Sequence, residues 1–156
     1  MKKNIKSLLP EELEEELALI GEKKFRAKQI FKWLSMGAAS FDEMTNISKE
    51  LRSKLNDGYY ITCPRIIRKQ VSKIDGTIKY LWGLYDGNTV ESVLMRYKYG
   101  NTICISSQVG CRMGCAFCAS TLGGLVRGLE PSEMTDQILF AQKDSGEKIS
   151  DRKSVV

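Results

Sequence analysis

Three cysteines in one short segment are the residues of this chain whose types and spacing point most directly to chemistry. Cys111, Cys115 and Cys118 stand at a C-x3-C-x2-C spacing, with Phe117 directly before the last of them. Thiolates are the standard protein ligands of iron–sulfur clusters and other soft metal centres. Three thiolates can hold three corners of a cubane 4Fe–4S cluster and leave one iron open to another ligand, with Phe117 as an apolar wall beside it.

The types of the residues leave alternatives open. A zinc site needs a fourth ligand, and because the chain has no histidine, that ligand would be Cys104 or Cys63. Inert thiols are a second alternative, and Cys63 lies outside every motif. A disulfide framework fits poorly, since five cysteines are an odd number and the N-terminal segment lacks the apolar core of a secretory signal. Free thiols without an export signal predict a cytoplasmic location.

Two glycines within the cysteine segment and one cysteine upstream of it indicate how the loop is positioned. Gly110 and Gly114 permit the positive φ angles and the close approach that a chain wrapped around a cluster needs. Cys104 stands seven residues before Cys111, at the end of a strand predicted from Thr102 to Ser106. A cysteine there lies close to the loop, where an activated thiol has a chemical use.

The motif C-x3-C-x-F-C resembles the cluster signature of radical S-adenosylmethionine (SAM) enzymes. With SSQVGC before it, and Glu91 and Cys104 upstream, it is similar to one branch of that superfamily. That branch comprises the RlmN-type methyltransferases, which modify C2 of an adenine in large-subunit ribosomal RNA and in transfer RNA. The similarity runs from about Phe25 (FRAKQIFKWL, then FDEMT) to about Glu147.

The resemblance implies cofactors and their ligands. Cys111, Cys115 and Cys118 would bind the 4Fe–4S cluster, and Phe117 would border the cofactor. In the family the open iron chelates SAM, and reduction cleaves SAM to a 5′-deoxyadenosyl radical. The implied partners are ribosomal RNA, transfer RNA and an electron donor such as flavodoxin or ferredoxin, and the implied state is a monomer.

The resemblance also implies two catalytic residues. Glu91 matches a glutamate beside the target adenine, the proton acceptor of the family. Cys104 matches the thiol that resolves the protein–RNA crosslink through a transient disulfide with a methyl-carrying cysteine. Without the resemblance, Glu91 is typical of a solvated carboxylate on a strand. Two other functions stay open: methylation at adenine C8 by a resistance-type relative, and a zinc-stabilised RNA-binding module without catalysis.

The elements that must position these residues fall into three predicted segments. Residues 1–60 show helical periodicity and predict a small helical domain, to which the resemblance gives the role of an RNA-binding accessory domain. Residues 61–100 predict an antiparallel β-meander linker, since the pairs Asp75-Gly76 and Asp86-Gly87 are typical hairpin turns. Residues 101–156 predict a strand, the cysteine loop and a helix from Pro131 to near Gly146. These elements predict the fold class α+β / α/β, and the resemblance implies that the last segment is the first β/α unit of a radical SAM partial (β/α)6 TIM-like barrel.

Aromatic and basic residues alternate within the helical segment. The periodicity favours Phe31 and Trp33 as core residues of a helix from about Phe25 to Ser35. The resemblance implies that the domain grips RNA, for which the basic residues are candidates: Arg26, Lys28, Lys32, Lys49, Arg52 and Lys54.

Charge and composition bound the class of function. The hydrophobic and charged fractions, 42% and 28%, are those of a globular domain, and no apolar run is long enough for a membrane span. Of the net charge of +5, the excess lies in residues 61–110, with 7 basic and 3 acidic side chains. This favours a phosphate-bearing substrate, although solvated lysines on strand edges would give the same count.

The C-terminal segment SDRKSVV is polar and lacks the apolar run of a second buried parallel strand. The family continues there into a SAM-binding strand and, later, the methyl-carrying cysteine. We therefore expect an incomplete, inactive version of such an enzyme, poorly folded beyond about Ser106 when alone.

Overall fold

The fold is that of a computed structural model, which describes the backbone of residues 2–155 and the side chains of residues 2–151. The chain divides into two compact units, Met1–Cys63 and Pro64–Val156. The second unit holds both the segment predicted as a β-meander and the segment predicted as the start of a barrel, because strands of the two share one sheet.

The first unit is a small helical domain around one apolar core. Its elements are β1 (Lys3–Asn4), α1 (Pro10–Leu19), α2 (Phe25–Ser35), α3 (Lys49–Gly58) and β2 (Tyr59–Tyr60), with β1 and β2 paired in parallel. Pro10 occupies the first turn of α1, and Ser48 caps α3 by accepting a hydrogen bond from the amide of Leu51. The hydrophobic core includes Leu13, Leu17, Ile30, Phe41, Met44, Leu51 and Leu55.

One of two core predictions within this unit needs correction. Phe31 is 40% exposed, because it lies beside the core-facing positions Ala27, Ile30 and Leu34 and not among them. Trp33, by contrast, packs partly buried against the core. Its indole nitrogen donates a hydrogen bond to the Asn46 side chain over 2.6 Å.

The second unit is a five-stranded mixed sheet with one helix and a small hairpin. In chain order the elements are β3 (Arg65–Val71), β4 (Ile78–Gly83), β5 (Thr89–Tyr97), β6 (Gly100–Ser106), β7 (Gln108–Gly110), β8 (Leu125–Gly128), α4 (Pro131–Ser145) and β9 (Ile149–Val155). The sheet order is β3-β4-β5-β6-β9, antiparallel as far as β6 and parallel between β6 and β9. The predicted meander, the strand before the cysteine loop and the helix after it are all confirmed.

The two faces of this sheet differ in what covers them. The helix face packs against α4 and is built from alternate apolar residues, among them Tyr80, Trp82, Leu94 and Ile103. The alternate positions project from the other face, here called the cysteine face because it carries Cys104, which pairs with Val93. Glu91, two residues before Val93 on β5, shares that face.

The prediction for the C-terminal segment SDRKSVV was wrong. Residues 150–155 belong to β9, which lies parallel to β6, and Val156 lies outside the described residues. As the last strand in the sheet order, β9 pairs on one side only, and such a strand does not require a continuous apolar sequence. The glycine-rich stretch after the cysteines contains β8, which pairs with β7. Within the described residues no helix has the length and apolar character of a membrane span.

Candidate metal centre and the adjacent cleft

A two-stranded hairpin encloses the cysteine loop. β7 and β8 pair antiparallel, and the amide of Cys111 donates to the carbonyl of Gly124 over 3.1 Å, which closes the loop between them. Gly110 has a φ of 73°, and a Cβ there would lie 1.9 Å from the carbonyl oxygen of Gly124. Gly114 has a φ of 68° with open space around it. The predicted positive φ angles are confirmed, and Gly110 is also a position where only glycine fits.

The three cysteines of the motif differ in exposure. Cys111 is buried, and the amide of Met113 donates to its sulfur over 3.4 Å. Cys115 is exposed and Cys118 half-buried, and the amide of Cys118 donates to the carbonyl of Cys115 over 3.0 Å. Phe117 is 94% exposed.

A 4Fe–4S cluster or another soft metal fits the chemistry of this donor set, since all three candidate ligands are thiols on one eight-residue segment. Within the described residues, no three Cys, Asp or Glu side chains already stand in a metal-ligating group. Binding would therefore require the three thiols to turn toward a common centre, and the exposure of Cys115 leaves room for that.

Arg127, which the sequence did not single out, fixes the far strand of the hairpin. Its guanidinium donates to both carboxylate oxygens of Glu133 on α4, over 2.7 and 2.8 Å, and its Nε donates to Asp86 over 2.8 Å. The hydrogen bonds with Glu133 raise the pKa of Arg127 above its ordinary value, although partial burial opposes this. Through Arg127, the strand β8 that follows the cysteine loop is thus bound to the start of α4 and to the turn between β4 and β5.

Gln137 fixes the strand that leads into the loop. Its fully buried amide accepts from the backbone N–H of Ser106 over 3.0 Å and donates to the carbonyl of Ser106 over 2.9 Å. It thereby takes the place of a neighbouring strand at the end of β6. The available signal was a glutamine among the apolar positions of α4, where a buried polar group needs a partner.

Glu91 and Cys104 line one cleft of about 410 Å³ on the cysteine face. The ends of β5, β6 and β7 and the short turn after Cys118 complete it, through residues that include Ser106, Gln108, Gly110, Ala119 and Ser120. Glu91 is paired with Lys79 on β4, with 2.8 Å between Oε1 and Nζ. The structure thus brings together the two predicted catalytic residues and the edge of the cysteine loop. The lining residues do not include Phe117 or any of the three motif cysteines, Cys111, Cys115 and Cys118.

The comparison with protein families identifies the first unit. Residues 3–61 match the family described as the ribosomal RNA large subunit methyltransferase N-terminal domain. The match covers the helical domain described above and ends close to the boundary between the two compact units.

Relatives cover nearly the whole chain. The probable dual-specificity RNA methyltransferase RlmN of Lachnoclostridium phytofermentans is 57% identical over 148 residues, which are 94% of this chain and 42% of that protein. The RlmN protein of Alkaliphilus oremlandii is 59% identical over 144 residues, which are 92% of this chain and 42% of that protein. The chain therefore spans about 42% of the length of these curated relatives.

A solved structure agrees with these relatives. A radical SAM methyltransferase from Sphaerobacter thermophilus superposes on 97% of this chain and 47% of its own, with a TM-score of 0.83 and 37% sequence identity. The resemblance to the RlmN type and the predicted fold class are therefore confirmed.

Proposed function

We propose that this chain, which corresponds over nearly its whole length to part of an RlmN-type radical SAM methyltransferase, serves methylation of adenine C2 in large-subunit ribosomal RNA and transfer RNA. One observation supports this most strongly. Glu91 and Cys104, to which the resemblance gives separate catalytic roles, line a single cleft together with the edge of the cysteine loop.

Cys111, Cys115 and Cys118 would hold the 4Fe–4S cluster, with SAM at the open iron and Phe117 beside it. When bound, the cluster supplies the electron that gives SAM its radical chemistry. The contribution of the chain is positional, since the hairpin of β7 and β8 anchors both ends of the cysteine loop next to the cleft. An electron donor such as flavodoxin or ferredoxin, a monomeric state and a cytoplasmic location belong to the same proposal.

Glu91 would accept the proton that leaves C2 of the adenine. Its carboxylate is 53% exposed at the cleft, and its ion pair with Lys79 orients it. A proton acceptor has to lie within hydrogen-bond reach of the proton that it removes, and a carboxylate on the cleft wall allows a bound base to approach to that distance.

Cys104 would resolve the covalent link between protein and RNA. It is half-buried at the same cleft, so that its thiol is shielded from bulk water yet open to a group inside. Its disulfide partner would be the methyl-carrying cysteine of the family.

The helical unit would hold the RNA substrate. It matches a domain named for ribosomal RNA methyltransferases, and Lys28, Lys32 and Lys49 are exposed on it. Arg52 and Lys54 are partly engaged within the unit, the former by the carbonyl of Asp42 and the latter by Glu50. The three exposed lysines are therefore the stronger candidates for phosphate contacts.

The position of the methyl group tests this function. Adenines of large-subunit ribosomal RNA and transfer RNA would be mapped by mass spectrometry in cells with and without the gene that encodes this chain. We expect a C2 methyl group that depends on the gene. A gene-dependent methyl group at C8 would show the resistance-type alternative, and RNA unchanged by loss of the gene would contradict the proposal.

A further inference from the structure

Two arginines on β3 stand on the same face of the sheet as Glu91 and Cys104, and the roles above do not use them. Arg65 pairs with Gly83 and Arg68 pairs with Leu81 across the β3–β4 ladder. Leu81 in turn pairs with Glu91 on β5. Since paired residues project from one face, the arginines and Glu91 lie on the cysteine face.

A β-bulge is what places both arginines there. Residues three apart on a regular strand point to opposite faces, so Arg65 and Arg68 would be separated by the sheet. The register shifts between Ile66 and Arg68, however, and the extra residue returns the second arginine to the face of the first. The Arg65 side chain lies over Gly83, where a Cβ would come within 2.9 Å of its Nε.

The charge on this part of the face is positive and incompletely balanced. On β3, β4 and β5, its only carboxylate is Glu91, which is already paired with Lys79. Every residue of β3 is exposed. Among the described residues, no acidic side chain lies within salt-bridge distance of Arg65 or Arg68. Two exposed guanidinium groups on β3 thus lie on the same face of the sheet as the Lys79–Glu91 pair on β4 and β5.

We propose that Arg65, Arg68 and Lys79 form a row that binds the RNA backbone on either side of the adenine at Glu91. This inference rests on the proposed function and adds the path of the RNA across the second unit. β3 and β5 are two strand spacings apart, about 10 Å, which places the row beside the cleft. Arginine binds phosphate with two parallel hydrogen bonds, and an RNA segment must be single-stranded for its base to enter a cleft.

The test measures RNA binding by the 156-residue chain against salt. The probe is a fluorescently labelled RNA stem-loop with adenines in the loop, and the variants are Arg65→Gln/Arg68→Gln and the charge-matched control Lys143→Gln/Lys148→Gln. The control removes two exposed lysines on α4 and directly after it. Circular dichroism of each variant checks that its fold is retained.

Each phosphate contact makes the affinity fall more steeply as the salt concentration rises. Two contacts account for about a 10-fold loss of affinity between 50 and 200 mM salt. We expect the arginine variant to bind more weakly than the unmodified chain at 50 mM salt, and its affinity to fall about 10-fold less between 50 and 200 mM salt. Arg65→Lys/Arg68→Lys should recover most of the salt slope and part of the affinity, because lysine keeps the charge and loses the paired hydrogen bonds.

Equal losses of RNA affinity in the arginine and control variants would contradict the proposed row of basic residues. An arginine variant that binds RNA like the unmodified chain would contradict it as well. In both cases the RNA-binding function would stand, because the unmodified chain still binds. An unmodified chain that does not bind the stem-loop at all would instead contradict the RNA assignment on which the inference rests.

Discussion

The two faces of the sheet in the second unit are made by the same strands and serve different ends. On the helix face, Tyr80, Trp82 and Leu94 are fully buried against the core. On the cysteine face, the side chains of Lys79, which directly precedes Tyr80, and of Glu91 are 45% and 53% exposed and pair with each other. Because side chains alternate along a strand, one residue can stabilise the fold while the next remains available for chemistry. Adjacent substitutions should therefore have very different costs.

The largest expected contrast is between Trp82 and Leu81. Trp82→Ala removes a fully buried ring that stacks on Tyr80 and donates to Ser92, and should lower the free energy of unfolding by about 3–5 kcal/mol. Leu81→Ala on the cysteine face should cost below about 1.5 kcal/mol, since Leu81 is only half-buried. Urea unfolding of the two variants measures both changes in the free energy of unfolding. Similar losses of stability would contradict the division into a stabilising helix face and an exposed cysteine face.

The second contrast is between the two glycines of the cysteine loop. Gly110→Ala places a methyl group against the carbonyl of Gly124 at a positive φ, and should cost about 2 kcal/mol or more and reduce the iron bound after reconstitution. Gly114→Ala also sits at a positive φ but meets no atom, so it should cost about 1 kcal/mol. Urea unfolding and iron analysis of both variants provide the measurement. Full iron binding by Gly110→Ala would refute the close approach as a requirement.

A third prediction uses the pH dependence of the helix face. Burial, and then the hydrogen bond to Asp144 over 2.7 Å, raise the pKa of Tyr80 above its ordinary value of 10.0. At a pH above about 10 the unfolded chain loses this proton while the folded chain keeps it, so folding stability should fall as the pH rises.

Tyr80→Phe isolates this effect. The variant should lose about 1 kcal/mol at neutral pH with the hydrogen bond, and its stability should decline less between pH 9 and 11. Urea midpoints across that range, for both proteins, give the comparison. Parallel curves would show that Tyr80 does not carry the pH dependence.

The smallest effect is expected for the ion pair on the cysteine face. Lys79→Gln should change the free energy of unfolding by less than about 1 kcal/mol, because both partners are near half-exposed and solvent screens the pair. The same urea assay measures it. A loss comparable to that of Trp82→Ala would place the pair among the residues that hold the fold.

Features carried by local periodicity could be predicted from the sequence. The helix from Phe25 to Ser35 and the hairpins at Asp75-Gly76 and Asp86-Gly87 are present as expected, because apolar spacing and turn chemistry act over a few residues. The catalytic roles predicted for Glu91 and Cys104 depended on the family resemblance. The structure places both residues at one cleft, beside the edge of the cysteine loop.

Features that depend on distant partners were missed. β9 is polar, and its pairing with β6 is visible only once the sheet is assembled. Arg127 and Gln137 look like ordinary polar residues until Glu133, Asp86 and Ser106 are placed around them. Hydrogen bonds of this kind join residues far apart in the chain, and the local sequence does not identify their partners; for Gln137 it indicates only a polar residue among the apolar positions of α4.

The central claim is that Cys111, Cys115 and Cys118 bind a 4Fe–4S cluster whose fourth iron takes up SAM. Anaerobic reconstitution with iron and sulfide, followed by electron paramagnetic resonance of the reduced protein with and without SAM, tests it directly. We predict about four irons and four sulfides per chain and a spectrum altered by SAM. Cys115→Ala should lose the cluster, whereas Cys63→Ala should keep it. One equivalent of tightly held zinc without a cluster, or a cluster indifferent to SAM, would contradict the claim.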